Sequence, residues 1–147
     1  MKKMFLIIVS GLMFLPLGSS QASGNTRLGI GLEALSEVLL GVRVAQKSPK
    51  YALVVDLGYL PTTEGPLAMY RISGRKYKSF LYGFAGVSQW SGATDGMFAD
   101  CGGGAEIKLG SLSLSLEIGP IIPLTHIEES ENTQAFIASI SMMLWFK

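Results

Sequence analysis

The strongest constraint in this sequence is a period of two. Between Arg27 and Phe146 apolar side chains recur at every second position in one segment after another, which is the spacing of residues on one face of a β-strand. The cleanest segment sets Leu112, Leu114, Leu116 and Ile118 against Ser111, Ser113, Ser115 and Glu117. Earlier, Leu28, Ile30, Leu32 and Ala34 oppose Arg27, Gly29, Gly31 and Glu33, and Val38, Leu40, Val42 and Val44 oppose Leu39, Gly41, Arg43, Ala45 and Lys47. A third segment places Tyr51, Leu53, Val55, Leu57 and Tyr59 opposite Ala52, Val54, Asp56 and Gly58.

The fourth, around Leu67 to Ser73, has the weakest pattern, and Ala68, Tyr70 and Ile72 take the apolar face because Arg71 belongs on the other. In the fifth, Phe80, Tyr82, Phe84 and Trp90 are set against Ser79, Leu81, Gly83, Ala85 and Gln89. The sixth sets Ala99, Cys101, Ala105, Ile107 and Leu109 against Asp100, Gly102, Gly104, Glu106 and Lys108. The last sets Phe136, Ala138, Ile140, Met142, Leu144 and Phe146 against Ala135, Ile137, Ser139, Ser141 and Met143. Eight antiparallel strands can close into a barrel, which removes the unpaired edges of an open sheet. The pattern predicts an all-β chain folded as an eight-stranded antiparallel up-and-down transmembrane β-barrel.

The connections follow a rule of their own. Counted from the N-terminus, the even ones are short and basic: around Lys47 to Lys50, around Arg75 to Lys78, and the tight Leu109-Gly110-Ser111 turn. The odd ones are mostly longer and carry acid: Glu37, Glu64, Asp95, and the Glu128, Glu129 and Glu131 cluster. Short turns at one rim and longer loops at the other match membrane barrels whose termini lie on the periplasmic side.

Alternation does not say which face looks outward, so composition has to decide. The chain is 48% hydrophobic and only 16% charged, with 18 glycines, and its polar faces are built from Gly, Ser and Ala with scattered charges. A crowded interior explains this better than a watered surface, because small residues leave room for a few large charged ones. That interior is expected to hold Arg27, Glu33, Arg43, Lys47, Asp56, Arg71, Asp100, Glu106, Lys108 and Glu117, whose balanced signs permit the pairing that buried charge requires. No charge falls on the opposite face of the eight segments so drawn, as lipid contact demands. Tyr51, Tyr59, Tyr70, Trp90 and Phe146 lie near segment ends, where interfacial aromatics gather.

The N-terminus reads as an address. Lys2 and Lys3 precede an apolar run from Met4 to Leu17, and Ser20-Gln21-Ala22 supplies small residues at the positions a signal peptidase reads. Cleavage after Ala22 would divide the chain into a signal peptide, 1–22, and a barrel domain, 23–147. Removing 22 of the 147 residues leaves 125 with ten basic and eleven acidic side chains, too balanced for a nucleic-acid binder. Cys101 is the single cysteine, so an exported fold would be held together without a disulfide.

Taken together, residues 25–146 resemble the small eight-stranded outer-membrane barrels of diderm bacteria. Ile140, Met142, Leu144 and Phe146 are similar to the C-terminal signal by which such proteins are recognised for insertion, and Lys147 departs from it. The resemblance implies an outer-membrane location, contact with membrane lipid and lipopolysaccharide, and passage through the barrel-assembly machinery. It implies a structural or surface-interaction role without a cofactor, since eight strands enclose room for side chains and little more.

Two other readings stay open. His126 is the only histidine, and with Ser130 and Glu128 it could form a nucleophile, base and orienting carboxylate, as in a lipid-A-modifying barrel. The barrel deacylases would call for His-x-Ser-Asn, whereas Glu128 stands two places after His126. Alternatively, a soluble periplasmic barrel would turn Leu, Phe and Tyr inward around a ligand. Gly102-Gly103-Gly104 and Gly29-Ile30-Gly31 lack the Lys-Ser/Thr of a phosphate loop and read as strand glycines beside bulky interior neighbours. One His and one Cys on different segments offer no metal set.

Overall fold

A computed structural model describes residues 26–35, 39–63, 65–92, 95–125 and 136–146. They form eight strands: β1 (Arg27–Leu35), β2 (Leu39–Lys47), β3 (Tyr51–Thr62), β4 (Gly65–Lys78), β5 (Leu81–Ser91), β6 (Gly96–Leu109), β7 (Leu112–Pro123) and β8 (Phe136–Phe146). Each pairs antiparallel with its sequence neighbours, and β1 pairs with β8, so the sheet is a closed up-and-down barrel. The expected all-β architecture is therefore the one observed. The segment 1–22 lies outside the described residues.

The registers set the dimensions. A path from Gly31 across Arg43, Asp56, Arg71, Ser88 and Phe98 to Pro123, continued through β8, returns to β1 displaced by ten residues. With eight strands, a rise of about 3.3 Å per residue and a spacing of about 4.7 Å, this shear tilts the strands by about 41° and gives a radius of about 8 Å. An arginine side chain from the wall therefore reaches the axis. The eleven residues of β8 climb about 27 Å along the barrel.

Side-chain direction follows the alternation. Glu33, Arg43, Asp56, Arg71, Asp100, Glu106 and Glu117 are buried inside, and Leu28, Ile30, Leu32, Leu40, Leu57, Ile107, Leu116, Ile118 and Ile140 are among the large apolar residues exposed outside. The apolar faces of this barrel thus look outward, and its interior is charged.

Three expectations are corrected. First, β4 continues to Lys78, so Arg75 to Lys78 is strand, and the turn is Ser79-Phe80 alone, between paired Lys78 and Leu81. Ser79 takes the left-handed φ of 65° that this two-residue hairpin needs, as Gly110 does with 69° in the Gly110-Ser111 turn. Arg75, in phase with Arg71, is consequently buried inside, while Lys76 and Lys78 face outward near the rim. The apolar face is not free of charge.

Second, β5 is turned the other way round. Tyr82, Phe84 and Ser88 are buried inside, and Leu81, Ala85 and Val87 face outward. The glycines of β6 cause this: Tyr82 pairs with Gly104 and Phe84 with Gly102, and a Cβ on Gly104 would lie 2.5 Å from the Tyr82 ring. Rings occupy the space that those glycines leave.

Third, Trp90 is not a membrane-facing aromatic. It points inward at the loop rim, where its indole donates to Ser88 Oγ at 3.2 Å and meets the Phe98 ring edge-on at 6.1 Å. Tyr51, Tyr59 and Phe146 are exposed on the outer face, and Tyr70 lies there half-buried.

Candidate functional site

Inside the barrel, most of the charge is gathered at mid-height, with rings, methionines and aliphatic side chains packed above and below it. Arg43, Asp56 and Arg71 stand side by side on β2, β3 and β4 because the registers pair Arg43 with Asp56 and Asp56 with Arg71. Arg43 donates through Nε to Asp56 Oδ1 at 2.5 Å and through Nη2 to Asp56 Oδ2 at 3.0 Å. The same Nη2 contacts Glu33 Oε1 from β1 and reaches Glu117 Oε2 from β7 at 3.3 Å. Its Nη1 donates to Ser141 Oγ on β8 at 2.7 Å. One guanidinium therefore joins five strands.

Arg71 forks onto Asp100 of β6, with Nη2 at 2.7 Å and Nε at 3.1 Å from Oδ1, and sends Nη1 to Glu117 Oε2 at 3.1 Å. Arg75 Nη2 lies 2.7 Å from Glu117 Oε1. Glu117 thus collects three arginines and also accepts from Ser139 Oγ at 3.2 Å. Every strand but β5 contributes a polar partner, and β5 contributes rings: Arg75 lies over Tyr82 at 4.8 Å and Arg71 over Phe84 at 5.1 Å. Such faces suit guanidinium, which is weakly hydrated and attracted to the ring quadrupole.

A second, smaller cluster sits toward the short-turn rim. Lys47 Nζ donates to both oxygens of Glu106 at 2.6 and 2.7 Å, and Tyr77 Oη donates to Glu106 Oε2 at 2.8 Å. The ammonium also lies 3.7 Å from the Tyr77 ring centroid and 5.4 Å from that of Trp145. Trp145, whose Nε1 donates to Ser113 Oγ at 2.7 Å, leans over Gly29, where a Cβ would meet its ring at 2.7 Å.

The structure brings together seven of the expected interior charges and Lys47, and separates two. Glu33, Arg43, Asp56, Arg71, Asp100 and Glu117 form the central network, with Glu106 and Lys47 below it. Arg27 and Lys108 are exposed at the short-turn mouth and make no ion pair among the described residues. They are the last inward positions of β1 and β6, beyond the reach of the central carboxylates. Arg75 is missing from the expected interior because the fourth segment is expected to end around Ser73, with Arg75 in the following turn, whereas β4 runs on to Lys78; its phase with Arg71 is the signal that finds it.

His126, Ser130 and Glu128 lie outside the described residues. Cys101 is a free thiol on the outer face. Among the described residues no group of three metal-ligating side chains converges. The central arrangement pairs arginines with carboxylates from strands on opposite sides of the barrel, so what it does physically is to lock strands together and fill the lumen. The chain matches no protein-family model, no curated protein and no solved structure.

Proposed function

We propose that this protein is an outer-membrane β-barrel with a structural or surface-interaction role, exported through the signal peptide 1–22, and neither an enzyme nor a diffusion pore. The observation that carries the reading is the direction of the side chains: buried ion pairs within, and a wall of exposed Leu, Ile, Val and Phe without. Water would not tolerate that outer wall on a monomer, since exposed apolar patches beyond a few hundred Å² mark an interaction surface. A bilayer meets it over the whole circumference.

The height supports the same reading. Strands rising about 27 Å match the apolar band of about 25 Å that spans an outer membrane. Tyr51, Phe80 and Phe146 ring the short-turn end and Tyr59 and Phe136 the loop end, where interfacial aromatics are expected. A soluble barrel with an apolar ligand cavity is not favoured by an interior of arginines and carboxylates, and a pore is not favoured by a lumen crossed by Arg43 and Arg71. Partners on this reading are membrane lipid and lipopolysaccharide, with the barrel-assembly machinery during insertion.

The test is gel mobility in SDS of the membrane-fractionated protein, unboiled against boiled. A shift on boiling, in the outer-membrane fraction, is expected. A soluble periplasmic protein with no shift would overturn the reading.

A further inference from the structure

The short-turn mouth differs from the rest of the interior in one respect: its cations outnumber its anions. Arg27 and Lys108 point into a cavity of about 430 Å³ whose floor is the Lys47–Glu106 pair and whose wall is Trp145. Lys47 is neutralised by both oxygens of Glu106. Arg27 and Lys108 have no such partner among the described residues, so the described lining of the cavity carries two positive charges without a carboxylate against them.

Elsewhere in this barrel every buried arginine or lysine has a carboxylate against it, as burial requires. Arg27 and Lys108 are instead exposed at the mouth, where an anion entering from the rim can exchange their water for direct contact with both cations of one cavity. A single carboxylate would satisfy one of the two cations. A phosphate monoester carries close to two negative charges and three acceptor oxygens, which match a guanidinium fork and an ammonium together. Ser48 also lines the cavity, but its hydroxyl is engaged within the turn, donating to the Tyr51 carbonyl at 3.1 Å; the Trp145 ring offers an apolar wall for whatever the phosphate is attached to.

We propose that the short-turn mouth binds a phosphate group, held by Arg27 and Lys108 above the Lys47–Glu106 pair. The phosphate comes either from a free ion or from a phosphate-ended lipid headgroup, and the site does not depend on the membrane reading. Neither Arg27 nor Lys108 belongs to the network that holds the strands together, so replacing them leaves the barrel intact.

Equilibrium dialysis of radiolabelled inorganic phosphate, and separately of radiolabelled dihexanoyl phosphatidate, against the purified protein in dodecyl maltoside at constant ionic strength measures binding directly. One saturable site per chain is expected, weakened at least tenfold in Arg27→Gln and again in Lys108→Gln. Saturation by inorganic phosphate assigns the site to the free ion; saturation by phosphatidate alone assigns it to a headgroup, and both support the proposal. No saturable binding of either probe, or binding unchanged in the double variant, overturns it. The boiling shift of each variant checks that the barrel is closed. Its absence from the parent chain would count against the membrane reading and leave the dialysis result standing.

Discussion

Glu117 receives Arg43, Arg71 and Arg75 within a space that excludes water, its side chain 1% exposed. Removing one partner from such a set leaves charge buried without compensation, which typically costs about 3–5 kcal/mol. Glu117→Gln is therefore expected to lower stability by about that much, measured by urea unfolding from lipid vesicles with tryptophan emission as the readout. Arg27→Gln, at an exposed and unpaired position, is expected to change it by less than about 0.5 kcal/mol. The glycines act at the same scale. A Cβ on Gly29 would lie 2.7 Å from the Trp145 ring and 2.9 Å from Met143 Cε, so Gly29→Ala forces both side chains to move. A cost of about 1–3 kcal/mol is expected, with a changed emission spectrum of Trp145 in a Trp90→Phe background. At Gly119 the obstacle is the Cys101 carbonyl at 1.8 Å, which is backbone and cannot yield without opening β6 from β7.

At the scale of the element, β5 is the instructive strand. Its sequence alternates aromatic with small, and on hydrophobicity alone the rings of Tyr82 and Phe84 belong to the apolar face. They go inward because β6 presents Gly102 and Gly104 opposite them and β4 presents arginines that stack on them. No property of β5 taken alone contains that information. The orientation is open to a direct check. With Cys101 replaced by Ala, a cysteine at Ala85 or Val87 is expected to carry a label quenched by lipid-borne quenchers, and a cysteine at Ser88 is not; the opposite result would turn β5 over. Outward position also sets tolerance to charge. Leu116→Arg, midway along β7, is expected to cost about 2–4 kcal/mol in a bilayer, whereas the native Lys76 and Lys78 sit near the rim and can extend to water along their apolar stems.

At the scale of the molecule, eight strands with a shear of ten leave a radius of about 8 Å to the backbone, and side chains take nearly all of it. Arg43 spans from β2 to Glu117 on β7, across the lumen. Planar-bilayer recordings are therefore expected to show no stable conductance for the parent protein. A persistent open channel would contradict a lumen filled in this way. The rims differ in charge, the described short-turn end carrying Lys50, Lys76, Lys78, Arg27 and Lys108 and the loop end Asp95. In length they differ only through the β5–β6 and β7–β8 connections, because just two residues separate β3 from β4, which corrects the expectation of mostly longer odd connections. The mouth lined by Arg27 and Lys108 lies at the basic end, beside the turns.

Much of this was legible in the chain itself, for a physical reason. Strand identity and face depend on neighbours two residues away, so the runs Leu112 to Ile118 and Phe136 to Phe146 declare both without reference to anything distant. Charges strictly in phase with serine and glycine, such as Glu117 and Asp56, likewise announce an interior. The tertiary structure alone decided what depends on opposing strands: the inward turn of β5, the extension of β4 that carries Arg75 inside, and the division of ten expected charges into a locked centre and an open mouth. Those outcomes turn on register, and register is a relation between strands that lie far apart in the sequence, where no local period can reach.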